Sequence, residues 1–169
     1  IYKLLSCSGC GRGAIGKFHD MGRANKYLES FYPRALENSA LPEGVPESII
    51  NEYREAELCA SFEAWRAASA LLRSTLEKTL KLNGYTTGNL RDKIDTAAED
   101  GIITSARKQK AHSDIRVLGN EIVHDEWRVV DEDEVFSALH YVQRILEDFY
   151  DDRESVTQIL IEKERIEPA

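Results

Sequence analysis

From residue 49 onward apolar side chains return every three or four positions: Ile49, Tyr53, Ala56, Ala60, Trp65, Ala68, Leu72, Leu76 and Leu80. That period is the signature of one buried helix face. It predicts a single long helix opening at Pro46-Glu47, with proline in the first turn and an acid beside it, and stopping at Asn83-Gly84. A shorter helix is predicted over about 89–99, ended by Asp100-Gly101. A third begins near Thr104 or Ser105, carries Ala111, Ile115, Leu118 and Ile122 on one face, and closes near His124. Asp131-Glu132-Asp133-Glu134 has the form of a capping box, an acceptor at the cap and an acid three positions on. It opens a fourth helix whose stripe is Val135, Leu139, Val142, Leu146 and Phe149. A last helix is predicted within 155–167 on Val156, Ile159 and Leu160. Short connections between amphipathic helices favour antiparallel neighbours, so the expected fold class is all-α, an antiparallel helical bundle.

Ahead of residue 46 the pattern is different. Glycines stand at 9, 11, 13, 16 and 22, followed by Pro33, Pro42, Gly44 and Pro46. Residues 1–5 have strand-like content but form a short run, and Cys7-Ser8-Gly9-Cys10-Gly11 follows as a turn would. Residues 31–45 read as an extended arm, because proline and the residue before it both disfavour helix. The chain therefore divides into a short irregular segment over 1–30, an arm over 31–45 and the helical bundle over 46–169.

Composition narrows the class further. With 169 residues and 42% hydrophobic content, one domain with a real core is expected. No apolar run approaches the ~18 residues of a membrane span. Three cysteines cannot close a disulfide framework, which points to a reducing cytoplasm. The net charge of -8 argues against a generic grip on duplex DNA, which needs clustered cations.

Candidate chemistry gathers at three places. Arg116, Asn120 and His124 are spaced by four and form one stripe on the third predicted helix, bordering its apolar face. They either satisfy neighbouring helix ends or line an interhelical groove. On the first predicted helix, Arg66, Arg73 and Glu77 lie among Ala67, Ala68, Leu71 and Leu72, so this face is not simply solvated. A structural ion pair between Arg73 and Glu77 is the plainer reading of that set. Arg107, Lys108 and Lys110 make a basic stretch leading into the stripe, which either guides a phosphate or is a solvated helix face. Finally, Cys7-x-x-Cys10 is half of the ligand set of a zinc ribbon. A structural zinc there is an incomplete site: His19 is a candidate third ligand and no fourth is evident.

The ordered set Tyr32-Pro33, Leu41-Pro42, Val45-Pro46, Tyr53-Arg54-Glu55-Ala56, Ala67-Ala68-x-x-Leu71-Leu72-Arg73-x-x-x-Glu77, Leu90-x-x-Lys93-Ile94 and Ile115-Arg116-x-x-Gly119-Asn120-x-x-x-His124-Asp125 resembles the bacterial family catalogued as domain of unknown function 4145. The resemblance covers about residues 32–150. That family is similar to the HEPN superfamily of helical bundles, many of which are metal-independent ribonucleases of toxin, restriction and antiviral systems. The likeness implies a homodimer with a composite site, and a second cysteine pair upstream of Ile1 to complete the ribbon. The superfamily's signature is an Arg followed after four to six residues by a His, whereas seven residues separate Arg116 from His124 here. Matching Asn120 to the signature's polar residue puts Gly119 where its Arg belongs.

The expectation is thus a non-catalytic or weakly catalytic binding or regulatory module of a bacterial defence or stress system. It needs no cofactor for its helical domain and contacts RNA or a protein partner. The alternative is a metal-independent endoribonuclease. His124 would then move the proton, Arg116 stabilise phosphoryl charge and Asn120 orient them.

Overall fold

The computed structural model describes residues 1–9, 11–20, 26–32, 38–113 and 129–168. Three strands come first: β1 (Tyr2–Ser6), β2 (Gly13–Asp20) and β3 (Lys26–Tyr32), an antiparallel meander in the order β1-β2-β3. Six helices follow among the described residues: α1 (Glu47–Ser61), α2 (Trp65–Leu82), α3 (Leu90–Glu99), α4 (Ser105–Ser113), α5 (Glu132–Tyr150) and α6 (Arg153–Glu162).

The sheet overturns the all-α expectation: the fold is mixed α/β, with strands where an irregular segment was expected. The glycines that mask these strands in the sequence have a packing role. A Cβ at position 16 would lie 2.8 Å from both Leu5 Cδ1 and Phe18 Cε2, so the side chains of β1 and β2 fold over the bare backbone there. The register sets Leu4 and Tyr32 on either side of Ile15, and Tyr2 and Ser30 on either side of Lys17. A shift between Lys17 and Phe18 leaves Glu29 as an extra residue of β3, a bulge.

The first predicted helix is also two helices. Its apolar spacing slips to five between Ala60 and Trp65, and there the chain turns. Ser61 returns its hydroxyl to Leu58 O at 2.7 Å, and Ala64 N–H reaches Cys59 O at 2.9 Å while Glu63 N–H reaches Ala60 O at 3.0 Å. These are the paired bonds of a Schellman cap, with Glu63 at φ 59° in the position glycine usually fills. Lys78 then meets Glu52 at 3.0 Å, so α1 and α2 are antiparallel.

The order of neighbours departs from a simple up-down bundle. Trp65 at the start of α2 faces Phe136 at the start of α5, ring centroids 6.2 Å apart. At the other end Asn83 donates to Tyr150 Oη at 3.1 Å. These two helices therefore run in the same direction, which the long connection through α3 and α4 permits. Both capping boxes are formed, Asn89 with Asp92 and Asp131 with Glu134. The core lies between α1, α2 and α5, where Ile49, Tyr53, Leu72, Leu76, Leu80, Val142, Ile145 and Phe149 are sealed from solvent, joined by Leu160 of α6. Each such side chain contributes about 1.5–3 kcal/mol. Tyr53 spans this core, donating its hydroxyl to Leu139 O at 3.1 Å.

Candidate functional site

The predicted Arg116–Asn120–His124 stripe lies outside the described residues, as does Cys10. Helix α4, which precedes the stripe in the chain, and the helices α2, α3 and α5 are described, and polar contacts join them.

Helix α4 carries the basic stretch. It has little apolar surface of its own, so ion pairs rather than burial fix its place. Arg107 closes on the carboxylate of Asp148 in α5 through its guanidinium. Lys108 on the next residue turns toward α3 and lies 3.3 Å from Asp95 and 3.9 Å from Glu99. Lys110 is half-buried on the same helix. The cations expected to guide a phosphate are thus arranged, at positions 107 and 108, as ties between α3, α4 and α5.

Asp148 is the less ordinary member. Burial pushes its carboxyl above the usual carboxylate range, against the pull of the Arg107 hydrogen bond and charge. One oxygen is taken by Arg107, and its Oδ2 is buried with no hydrogen-bond partner among the described residues. Tyr141, two helical turns earlier on α5, is in the same condition at its hydroxyl, and burial with the nearby Asp148 charge raises its pKa. Unpaired buried polar atoms are costly, so Tyr141 and Asp148 form a polar seam beside the apolar buried residues of α5. Burial favours the neutral form of Tyr141, and Asp148 is engaged by Arg107.

A second seam joins α2 to α3. Glu77 accepts from Lys81 at 2.9 Å and from Lys93 at 3.0 Å, and the Lys93 side chain is only 4% exposed. Both hydrogen bonds hold the Glu77 carboxyl below the usual range. Arg66 and Arg73 lie half-buried on α2. Sequence reasoning singled out Glu77 and missed its buried partner. Its signal was Lys93 standing between Leu90, Ile94 and Ala97, on the apolar face of a ten-residue helix. Asp148 was missed because it sits within the acidic run 147–152, which reads as solvated surface. Its flanking by Ile145 and Phe149 was the contrary sign.

At the other end of the molecule, Cys7 lies in the β1–β2 turn, where Cys7 N–H donates to Arg12 O at 2.9 Å and Gly11 N–H to Cys7 O at 2.9 Å. Among the described residues no group of three or more His, Cys, Asp or Glu is placed to hold a metal ion. Cys7 and Cys10 are two of the four donors that a closed tetrahedral zinc site needs, and Cys10 lies outside the described residues.

A body of helices tied by buried ion pairs, carrying a small antiparallel sheet at its N-terminal end, defines a mixed α/β domain. No helix among the described residues is long and apolar enough to cross a membrane. The chain belongs to the family described as Domain of unknown function (DUF4145), whose model matches residues 54–166. No curated protein and no solved structure matches it.

Proposed function

We propose that this chain is a binding or regulatory module of HEPN type, non-catalytic or weakly catalytic, serving a bacterial defence or stress system as a cytoplasmic homodimer. The observation that carries the reading is the use of the cations on α3 and α4, the helices that precede the stripe in the sequence. Arg107 and Lys108 are engaged with Asp148, Asp95 and Glu99, and Lys93 with Glu77. A ribonuclease site needs cations open to phosphoryl oxygens, and a phosphate would have to displace these carboxylates first. The wide Arg116 to His124 spacing and Gly119 at the Arg position of the signature point the same way.

The alternative, a metal-independent endoribonuclease with His124, Arg116 and Asn120 as its working residues, rests on their spacing by four along one stripe. Incubating the intact protein with labelled RNA in excess EDTA, beside His124→Ala, separates the two. The module predicts equal, background-level products from both proteins. Light scattering tests the dimer.

A further inference from the structure

The sheet presents a face that the helical body does not cover. Cross-strand partners share a face, so the register places Leu4, Ile15 and Tyr32 in one row, Tyr2 and Lys17 in the next, and His19 with Tyr27 in the last. Rows two residues apart are about 7 Å from one another. The three tyrosines are 71%, 54% and 48% exposed at positions 2, 27 and 32. His19 stacks on Tyr27 with centroids 5.6 Å apart and planes at 27°. Tyr32 meets Phe62, the residue just after α1, edge-on at 5.6 Å, which marks the end of the face nearest the helices. Glu29 is taken up by Lys17 at 2.7 Å, so this acidic group is neutralised. Contiguous exposed apolar and aromatic surface of this kind marks an interaction site.

Charge selects the occupant. Within residues 1–32, Lys3, Arg12, Lys17, Arg23 and Lys26 outnumber Asp20 and Glu29, a net of +3. The whole chain carries -8, which leaves -11 on the remaining residues. A polyanion is therefore repelled by the helical body and drawn to the sheet. A row of exposed rings on a cationic segment is what unpaired bases stack on, while a duplex hides its base faces. We infer that the sheet face of Tyr2, His19, Tyr27 and Tyr32 binds single-stranded nucleic acid by base stacking. This goes beyond the module proposed above and does not rest on it, since the face lies outside residues 54–166 that carry the family match.

The test is fluorescence anisotropy with the full chain and labelled single strands of about 12 nucleotides. RNA, DNA of the same sequence and a duplex are the three arms. Saturable binding of a single strand, weaker for the duplex, is expected. The Tyr2→Ala/Tyr27→Ala variant is expected to lose about tenfold or more in affinity, and Tyr2→Phe/Tyr27→Phe to stay within about twofold, because only the ring stacks. Affinity should also fall between about 50 and 200 mM salt. The substituted side chains are exposed, and thermal melting confirms that each variant is folded. No binding by the wild type, equal binding by the alanine variant, or preference for the duplex each overturns the inference. So does loss of self-association in the alanine variant without any strand binding, which would make the face a protein contact. Binding that survives the alanine variant would leave RNA contact by the helical module standing while removing the sheet from it.

Discussion

Lys93 is 3% exposed, and its ammonium is tolerable there because Glu77 meets it at 3.0 Å. Removing one partner strands the other. Glu77→Ala is expected to cost about 3 kcal/mol by urea unfolding, because a buried cation is left unpaired. Lys93→Met on top of it should restore most of that loss, as an apolar side chain of similar length suits the site. The pair also sets a pH dependence. The native Glu77 value is lowered, so its stabilisation is present above the unfolded value of about 4.3 and is lost as pH falls through the native value. Glu77→Gln should accordingly flatten the acid limb of the stability profile. Asp148 has the opposite sign: burial raises it, so its contribution is greatest below the unfolded value and declines as pH rises through the native one. At this scale the sequence reveals that a charge lies on an apolar face. Which carboxylate meets it depends on how two helices cross, and periodicity along one helix does not carry that.

At the scale of elements, four helices end in the same bond pattern. Gly84 and Gly101 occupy the left-handed position after α2 and α3, both at φ 87°, while Glu63 and Glu164 occupy it after α1 and α6 at φ 59° and 55°. In each, the N–H two residues past the helix cap reaches back five residues: Ala64 to Cys59, Tyr85 to Leu80, Ile102 to Ala97 and Arg165 to Leu160. A side chain in that conformation costs about 1–2 kcal/mol. Glu63→Gly should therefore raise stability by up to about 1 kcal/mol, and Gly101→Ala, where added bulk meets nothing within 4 Å, should lower it by a similar amount. A thermal melt of each reads the difference directly. The glycine stops are readable in the sequence, as is the Asp131 capping box. A glutamate in the same role gives no local sign, so the α1–α2 turn was joined into one helix. The strands were hidden by the reverse effect. Glycine weakens strand propensity, yet Gly16 is where Leu5 and Phe18 need the room.

Among the described residues, the buried side chains of the core run from Val45 to Leu160, with none from the sheet. The chain after α6 is clasped back onto α2 and α3: Arg165 binds Asp100 at 2.8 Å and lies over the Tyr85 ring at 5.4 Å. The helical body is thus expected to be self-sufficient. A fragment over residues 38–169 should unfold cooperatively, with a midpoint within a few degrees of the full chain. A non-cooperative melt would show that the sheet supports the core. The start of the first helix at Glu47 was readable from the change in proline and glycine content, and the buried stripes of α2 and α5 from their period. That α2 and α5 run parallel was not, because direction depends on the path of the connection between them.

The proposed function stands or falls most directly on whether Arg116, Asn120 and His124 cleave RNA. The direct measurement is single-turnover cleavage of a mixed, labelled RNA pool by the intact wild type in excess EDTA, run beside identically prepared His124→Ala. The account predicts that the two proteins give the same background products. Wild-type cleavage that disappears in His124→Ala would contradict it and establish a metal-independent ribonuclease.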